Sequence, residues 1–150
     1  MILVRWIASG GGIGRIPFAP GTWASLAAVL IGGGALWIGH WLLVLLAFAA
    51  CAGGLWAVHA TREPGDPGWI VIDEFAGQWI AMIALSEVTL YGLIAAFVLF
   101  RFFDIAKPGP VGWADRRHGA FGVMADDVVA GLIVAAILFA VTRLFPNVTQ

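Results

Sequence analysis

No aspartate, glutamate, lysine or arginine occurs between Arg15 and Arg62, a stretch long enough for two membrane crossings at about 20 residues each. The rest of the chain is nearly as apolar. Only 11% of residues are charged and 61% are hydrophobic, whereas a soluble domain carries about 25% charge. A soluble fold of 150 residues could not hide that much apolar surface, so part of its solvent is lipid. One domain over residues 1–150 suits the length. The formal net charge of -1 excludes a strongly basic polyanion-binding face, and with it a nucleic-acid partner. Cys51 stands alone in an apolar run, which rules out an internal disulfide and favours an inert core thiol. Met1-Ile2-Leu3-Val4-Arg5-Trp6 lacks the cleavage site of a signal peptide, so retention is expected.

Five apolar segments follow: Thr22 to Ile38, Trp41 to Ala60, Pro67 to Ser86, Leu90 to Ala106 and Asp127 to Phe145. Pro20-Gly21-Thr22 supplies a turn and cap for the first. Gly39-His40 divides the first from the second, flanked by Trp37 and Trp41, whose amphipathic rings favour the membrane interface. Asp66-Pro67 reads as an N-cap with proline at the first helical position, and Pro108-Gly109-Pro110 ends the fourth. The fold class expected is an all-α, polytopic membrane bundle of about five hydrophobic helices. Each is near the short limit for crossing, and the third and fourth could form a hairpin that dips in and returns. With an odd number of crossings and the N-terminus in the cytoplasm, Arg5, Arg15, Arg62, Lys107, Arg116 and Arg117 all face inward. Only Arg143 lies toward the outside, in line with the positive-inside rule. Small residues at Gly77, Ala81, Gly131 and Ala135 are spaced for close helix contact.

Against this background the acids stand out. Asp73-Glu74 and Asp126-Asp127 are paired carboxylates beside apolar runs, with Arg101, Asp104 and Lys107 between them in sequence. Charge near hydrocarbon is costly, so such residues usually mark a site. A third helix starting near Asp66 would put Asp73 and Glu74 two turns inside it, too deep for capping. Asp126 and Asp127 would fall where the last helix begins, where the plain alternative is a cap. Four carboxylates converging from two helices repel unless protonated or bridged by a cation. An all-oxygen set suits Mg²⁺, whereas zinc would want His or Cys ligands. The alternative is a structural salt-bridge cluster with Arg101 and the loop arginines.

Arg101 and Asp104, three apart, share a helix face; they could serve as phosphate fork and metal ligand, or simply neutralise each other. Lys107, Arg116 and Arg117 could hold phosphate or only attract anionic headgroups. His118 could protonate a leaving alkoxide or be merely solvated. The Gly10–Thr22 stretch lacks the Lys-Ser/Thr ending of a P-loop, leaving an anion nest or a surface turn. His40 and His59 stand apart from these groups. Acids for a hard metal ion beside bases for phosphate point to phosphoryl chemistry at a membrane. A small transporter or cation-conducting protein is the alternative, and it fits less well because the charges cluster at one end rather than being staggered.

Four motifs in order carry a family resemblance. They are Gly12-Ile13-Gly14 with Ala19-Pro20-Gly21-Thr22-Trp23, then Ile72-Asp73-Glu74-Phe75-Ala76-Gly77-Gln78. Phe100-Arg101-Phe102-Phe103-Asp104-Ile105-Ala106-Lys107-Pro108 follows, and Gly122-Val123-Met124-Ala125-Asp126-Asp127-Val128-Val129-Ala130-Gly131 completes the set. In these residues the chain resembles the phosphatidylglycerophosphatase A family from about Gly10 to the C-terminus. The resemblance implies a Mg²⁺-dependent enzyme of the bacterial inner membrane, its active site facing the cytoplasm. It would remove the terminal phosphate of phosphatidylglycerophosphate, leaving phosphatidylglycerol. Its acidic motif positions fall on Asp73, Glu74, Asp126 and Asp127 as metal ligands. The Arg, Asp and Lys positions fall on Arg101, Asp104 and Lys107. Roles for Arg116, Arg117 and His118 rest on their chemistry alone.

Overall fold

Apolar helix is what the sequence demands, and among the described residues of this computed structural model, 1–63 and 65–144, no strand forms. The helices are α1 (Ile2–Ala8), α2 (Pro20–Ile38), α3 (His40–Thr61), α4 (Ile72–Met82), α5 (Leu90–Ala106), α6 (Pro110–Asp115) and α7 (Gly119–Leu144), with a 3₁₀ turn at Ile13–Arg15. Three of them, α2, α3 and α7, are long and apolar enough to cross a membrane. Helix α5 has the expected bounds, but its 17 residues extend only about 26 Å at 1.5 Å per residue. Helix α4, at 11 residues, reaches about 16 Å, against a hydrocarbon core of about 30 Å. Phe145, the expected end of the last segment, lies outside the described residues.

The two helices that carry the acid pairs begin elsewhere than the sequence reading placed them. Helix α4 starts at Ile72, not near Asp66, because the main chain ahead of it is committed to other partners. Ile70 N–H donates to Pro67 O in a turn and Val71 N–H donates to Ala8 O of α1, both at 2.9 Å. Helix α7 starts at Gly119 rather than Asp127, since nothing between Ala120 and Ala125 interrupts a helix. The positions of the pairs are therefore exchanged. Asp73 and Glu74 sit in a first turn, where the helix dipole favours anions. Asp126 and Asp127 lie two turns inside α7.

Depth follows from two contacts. The Ile83 carbonyl, just past α4, accepts from His40 Nε2 (2.8 Å) at the start of α3. At the other end of α4, the Ile72 side chain and the Met124 methyl both lie against Gly54. Gly54 is seven residues short of Thr61, or about 10 Å along the axis. The chain leaving α3 thus turns back into the bundle before α4 begins.

Hydrocarbon solvent gives no hydrophobic drive between helices, so close packing of small residues carries the association. Helices α4 and α7 form the most extensive interface. They cross where the Gly131 α-carbon lies against the Gly77 carbonyl, leaving no room for a side chain at either position. Phe100 of α5 is fully buried against Gly77, and Trp79 Nε1 donates to Ala28 O of α2 at 2.8 Å. Outward faces carry Leu30, Phe48, Ile94, Leu132 and Phe139, all exposed, as expected of a lipid-facing surface. Trp37 and Trp41 are exposed at the α2–α3 corner.

Candidate active site

The return of the chain into the bundle brings the ends of α2, α4 and α5 and the second turn of α7 around one cavity of about 460 Å³. Six carboxylates line it, Asp66, Asp73, Glu74, Asp104, Asp126 and Asp127, with two cations, Arg101 and Lys107. Carboxylate oxygens of Asp73, Glu74 and Asp127 lie within 4.8 Å of one another, and so do those of Asp104, Asp126 and Asp127. Asp127, only 3% exposed, belongs to both groups.

The two groups differ in what neutralises them. Arg101 Nη1 pairs with Asp104, and Lys107 Nζ pairs with Asp115 and, at 2.6 Å, with Asp126. No base pairs with the Asp73–Glu74–Asp127 group among the described residues, and Glu74 Oε2 is buried without a partner. An uncompensated buried carboxylate is expensive. Three oxygen donors in a buried, acid-rich pocket fit a hard divalent cation, and the donor set offers zinc no nitrogen or sulfur.

Each base is fixed by its local backbone. Arg101 follows the fully buried Phe100, and its Nη1 also donates to Ser25 Oγ (3.4 Å), while Ser25 Oγ donates to Gly21 O (2.9 Å). A β-carbon at Gly21 would run into Glu74 Oε1, so the start of α2 closes over the acids. Ala19 and Lys107 each precede a proline and each adopt left-handed backbone, φ 47° and 46°. Non-glycine residues held this way store strain of order 1–3 kcal/mol, a feature that gathers at functional sites. Both line the cavity. Burial alone would lower the Lys107 pKa, but hydrogen bonds to Asp115 and Asp126 outweigh it and hold the ammonium above its ordinary value.

Asp73, Glu74, Arg101, Asp104, Lys107, Asp126 and Asp127 therefore meet as the sequence reading expected. Arg116 and Arg117 do not join them. With His118 they line a neighbouring cavity of about 660 Å³, whose wall includes Asp66 and Asp126. Arg117 also stacks on Trp113, 4.1 Å from the ring centroid. Three participants carry no clear site signal in the sequence: Asp66, Ser25 and Asp115. In the sequence Asp66 reads as a helix cap. Ser25 gave one usable signal, its position one turn after Gly21. Gln78, one turn beyond Glu74 on the same helix, is fully buried with both amide atoms unpartnered. The glycine-rich Gly10–Gly14 stretch is not an anion nest toward this cavity. Gly12 N–H donates to Ser9 Oγ and Gly14 N–H to Ser9 O, so these donors are spent within the turn.

Fold and site together define a class: helical membrane proteins that enclose a polyacidic pocket edged by phosphate-capable bases. Comparison with known proteins narrows it. A model of the family "Phosphatidylglycerophosphatase A" matches residues 6–142, and the chain belongs to that family. Phosphatidylglycerophosphatase A of Escherichia coli is 39% identical over 93% of this chain and 84% of its own length. The protein of the same name from Haemophilus influenzae is 38% identical over 92% and 88%. A putative phosphatidylinositol-3-phosphatase of Bacteroides thetaiotaomicron is 39% identical over 91% of each chain. No solved structure matches the chain.

Proposed function

We propose that this chain, acting as one domain, hydrolyses the terminal phosphomonoester of phosphatidylglycerophosphate to phosphatidylglycerol and inorganic phosphate, in a Mg²⁺-dependent reaction at the cytoplasmic face of a bacterial inner membrane. The observation that carries the reading is the cavity itself. Six carboxylates and two bases face one space inside an apolar-faced helical bundle, and the relatives are named as phosphatidylglycerophosphatase A and a putative phosphatidylinositol-3-phosphatase.

Asp73, Glu74 and Asp127 would hold the cation, with Asp126 and Asp104 beside it. A bound Mg²⁺ supplies charge that draws electron density from the phosphoryl oxygens. Phosphoryl transfer mainly needs positioning and charge neutralisation, and the chain's own groups provide both. Arg101, anchored by Asp104 and Ser25, offers a planar guanidinium to the phosphate. Lys107 stays an ammonium throughout the neutral range and adds a fixed positive charge. A carboxylate of the cluster orients the attacking water, the P–O ester bond breaks, and the glycerol oxygen leaves with a proton. The acyl chains stay in the bilayer. Gathering of the charges around one cavity argues against a conduction path, which would need them spread along the membrane normal.

The test is phosphate release from phosphatidylglycerophosphate by purified protein in detergent, with Mg²⁺ or with chelator. Release that requires Mg²⁺, and that Asp73→Asn abolishes in a protein still folded, is the expected result. No release from folded protein in two lipid environments would refute the reaction.

A further inference from the structure

Arg116, Arg117 and His118 take no part in the acidic cavity, yet they line one at least as large. That cavity does not stand apart. It shares Asp66 and Asp126 with the acidic cavity on one side. On the other side it shares His118 with a third, apolar hollow of about 560 Å³ between α3 and α7. Leu55 and Trp56 form one wall of this hollow and Ala120 and Phe121 the other, and Trp56 and Phe121 are more than half exposed. The sequence along this path runs from acids, through cations, to hydrocarbon.

Phosphatidylglycerophosphate has the same order of parts. Its monoester is joined through a polyol to a phosphodiester, and the diester is joined through glycerol to the acyl chains. We infer that the Arg116–Arg117–His118 cavity binds the phosphodiester of the lipid, and that an acyl chain leaves along the α3–α7 hollow. This rests on the phosphatase reading above and adds where the rest of the lipid lies and from which side of the bundle it enters.

Charge supports the assignment. Of the three acids that line this cavity, Asp115 and Asp126 are both held by Lys107. Asp66 is then the one acid of the cavity without an ion-pair partner among the described residues, set against two guanidinium groups. Arg117 is braced on Trp113 rather than paired with an acid, which leaves its N–H fork free for an anion. The two cations that line the acidic cavity among the described residues, Arg101 and Lys107, are already engaged by Asp104, Asp115 and Asp126.

The experiment compares three substrates with the full-length protein in detergent micelles: the intact lipid, its deacylated headgroup, which keeps diester and monoester, and glycerol 3-phosphate, which has the monoester alone. The double variant Arg116→Gln, Arg117→Gln should raise KM for the lipid and the headgroup by roughly tenfold or more, the loss of charge-assisted hydrogen bonds, and leave glycerol 3-phosphate unchanged. Ala120→Trp and Leu55→Trp fill the hollow from opposite walls; each should raise KM for the lipid alone. Circular dichroism and gel filtration check that each variant is folded. Equal effects of the arginine variant on all three substrates, or none on any, would overturn the diester site. Unchanged lipid kinetics in both folded tryptophan variants would overturn the route between α3 and α7. Failure of the wild-type protein to release phosphate from all three would strike the phosphatase reading itself, and so remains distinguishable from both.

Discussion

Gly77 of α4 meets the main-chain carbonyl of Asp127 on α7: a β-carbon at 77 would stand 2.5 Å from that oxygen. The contact sets the distance between the two halves of the acid cluster. Asp73 and Glu74 ride on one helix and Asp127 on the other, so helix separation and carboxylate separation are the same variable.

Gly77→Ala should therefore harm chemistry more than fold. Overpacking at a tight contact costs about 1–3 kcal/mol, whereas a shift of roughly 1 Å in a reacting constellation can cost about a hundredfold in rate. The expected outcome is a protein that still inserts and gives a helical spectrum, with turnover down by about that factor. Turnover near wild type would show that the helix crossing does not set the site.

Asp127→Asn and Asp104→Asn should move stability in opposite directions when measured in chelator. Asp127 sits among acids with no base bonded to it among the described residues, so removing its charge relieves repulsion and raises the thermal midpoint. Asp104 is paired with Arg101, whose side chain is 15% exposed, so its removal strands a mostly buried guanidinium and lowers the midpoint. Both variants should lose activity. Divalent-ion binding, followed by calorimetry, should weaken more in Asp127→Asn, because that residue belongs to both carboxylate groups.

Arg101→Lys keeps the charge but not the fork. An ammonium cannot reach Asp104, Ser25 and a phosphate in one plane. Loss of one charge-assisted hydrogen bond, about 1.5–3 kcal/mol, predicts a fall in kcat/KM of about ten- to a hundredfold. Wild-type kinetics would make Arg101 a structural residue.

Lys107 makes a prediction about pH. Its folded pKa lies above the ordinary lysine value, so its contribution to stability is complete below about pH 10.4, the unfolded value. The contribution is lost as pH rises through the folded value. The stability difference between wild type and Lys107→Gln should accordingly be flat from pH 6 to 9 and shrink only in strong alkali. A difference that changes within the neutral range would assign the titration to another group.

Much of the site was legible because buried charge in an apolar chain has few explanations. Asp73, Glu74, Arg101, Asp104, Lys107, Asp126 and Asp127 converge as their spacing and family resemblance suggested, and the small residues Gly77 and Gly131 do mark a helix crossing. Helix starts were not legible. Asp66-Pro67 has the chemistry of a cap, but a hydrogen bond from Val71 to Ala8, more than sixty positions away, decides the backbone there. Nor could sequence separate Arg116 and Arg117 from Arg101 and Lys107. All four are bases near one end of the chain's helices, and only the fold puts Asp66 and Asp126 as a partition between them.

The shortness of α4 has a further consequence. Because α4 begins about 10 Å inside the end of α3, a phosphate held by its acids in the proposed reaction would lie deeper than the α3 terminus. A lipid would have to be drawn out of its row before it reacted. Turnover in a membrane would then depend on lateral pressure and headgroup crowding as well as on how much substrate is present, and a loosely packed or highly curved bilayer would give up its molecules fastest.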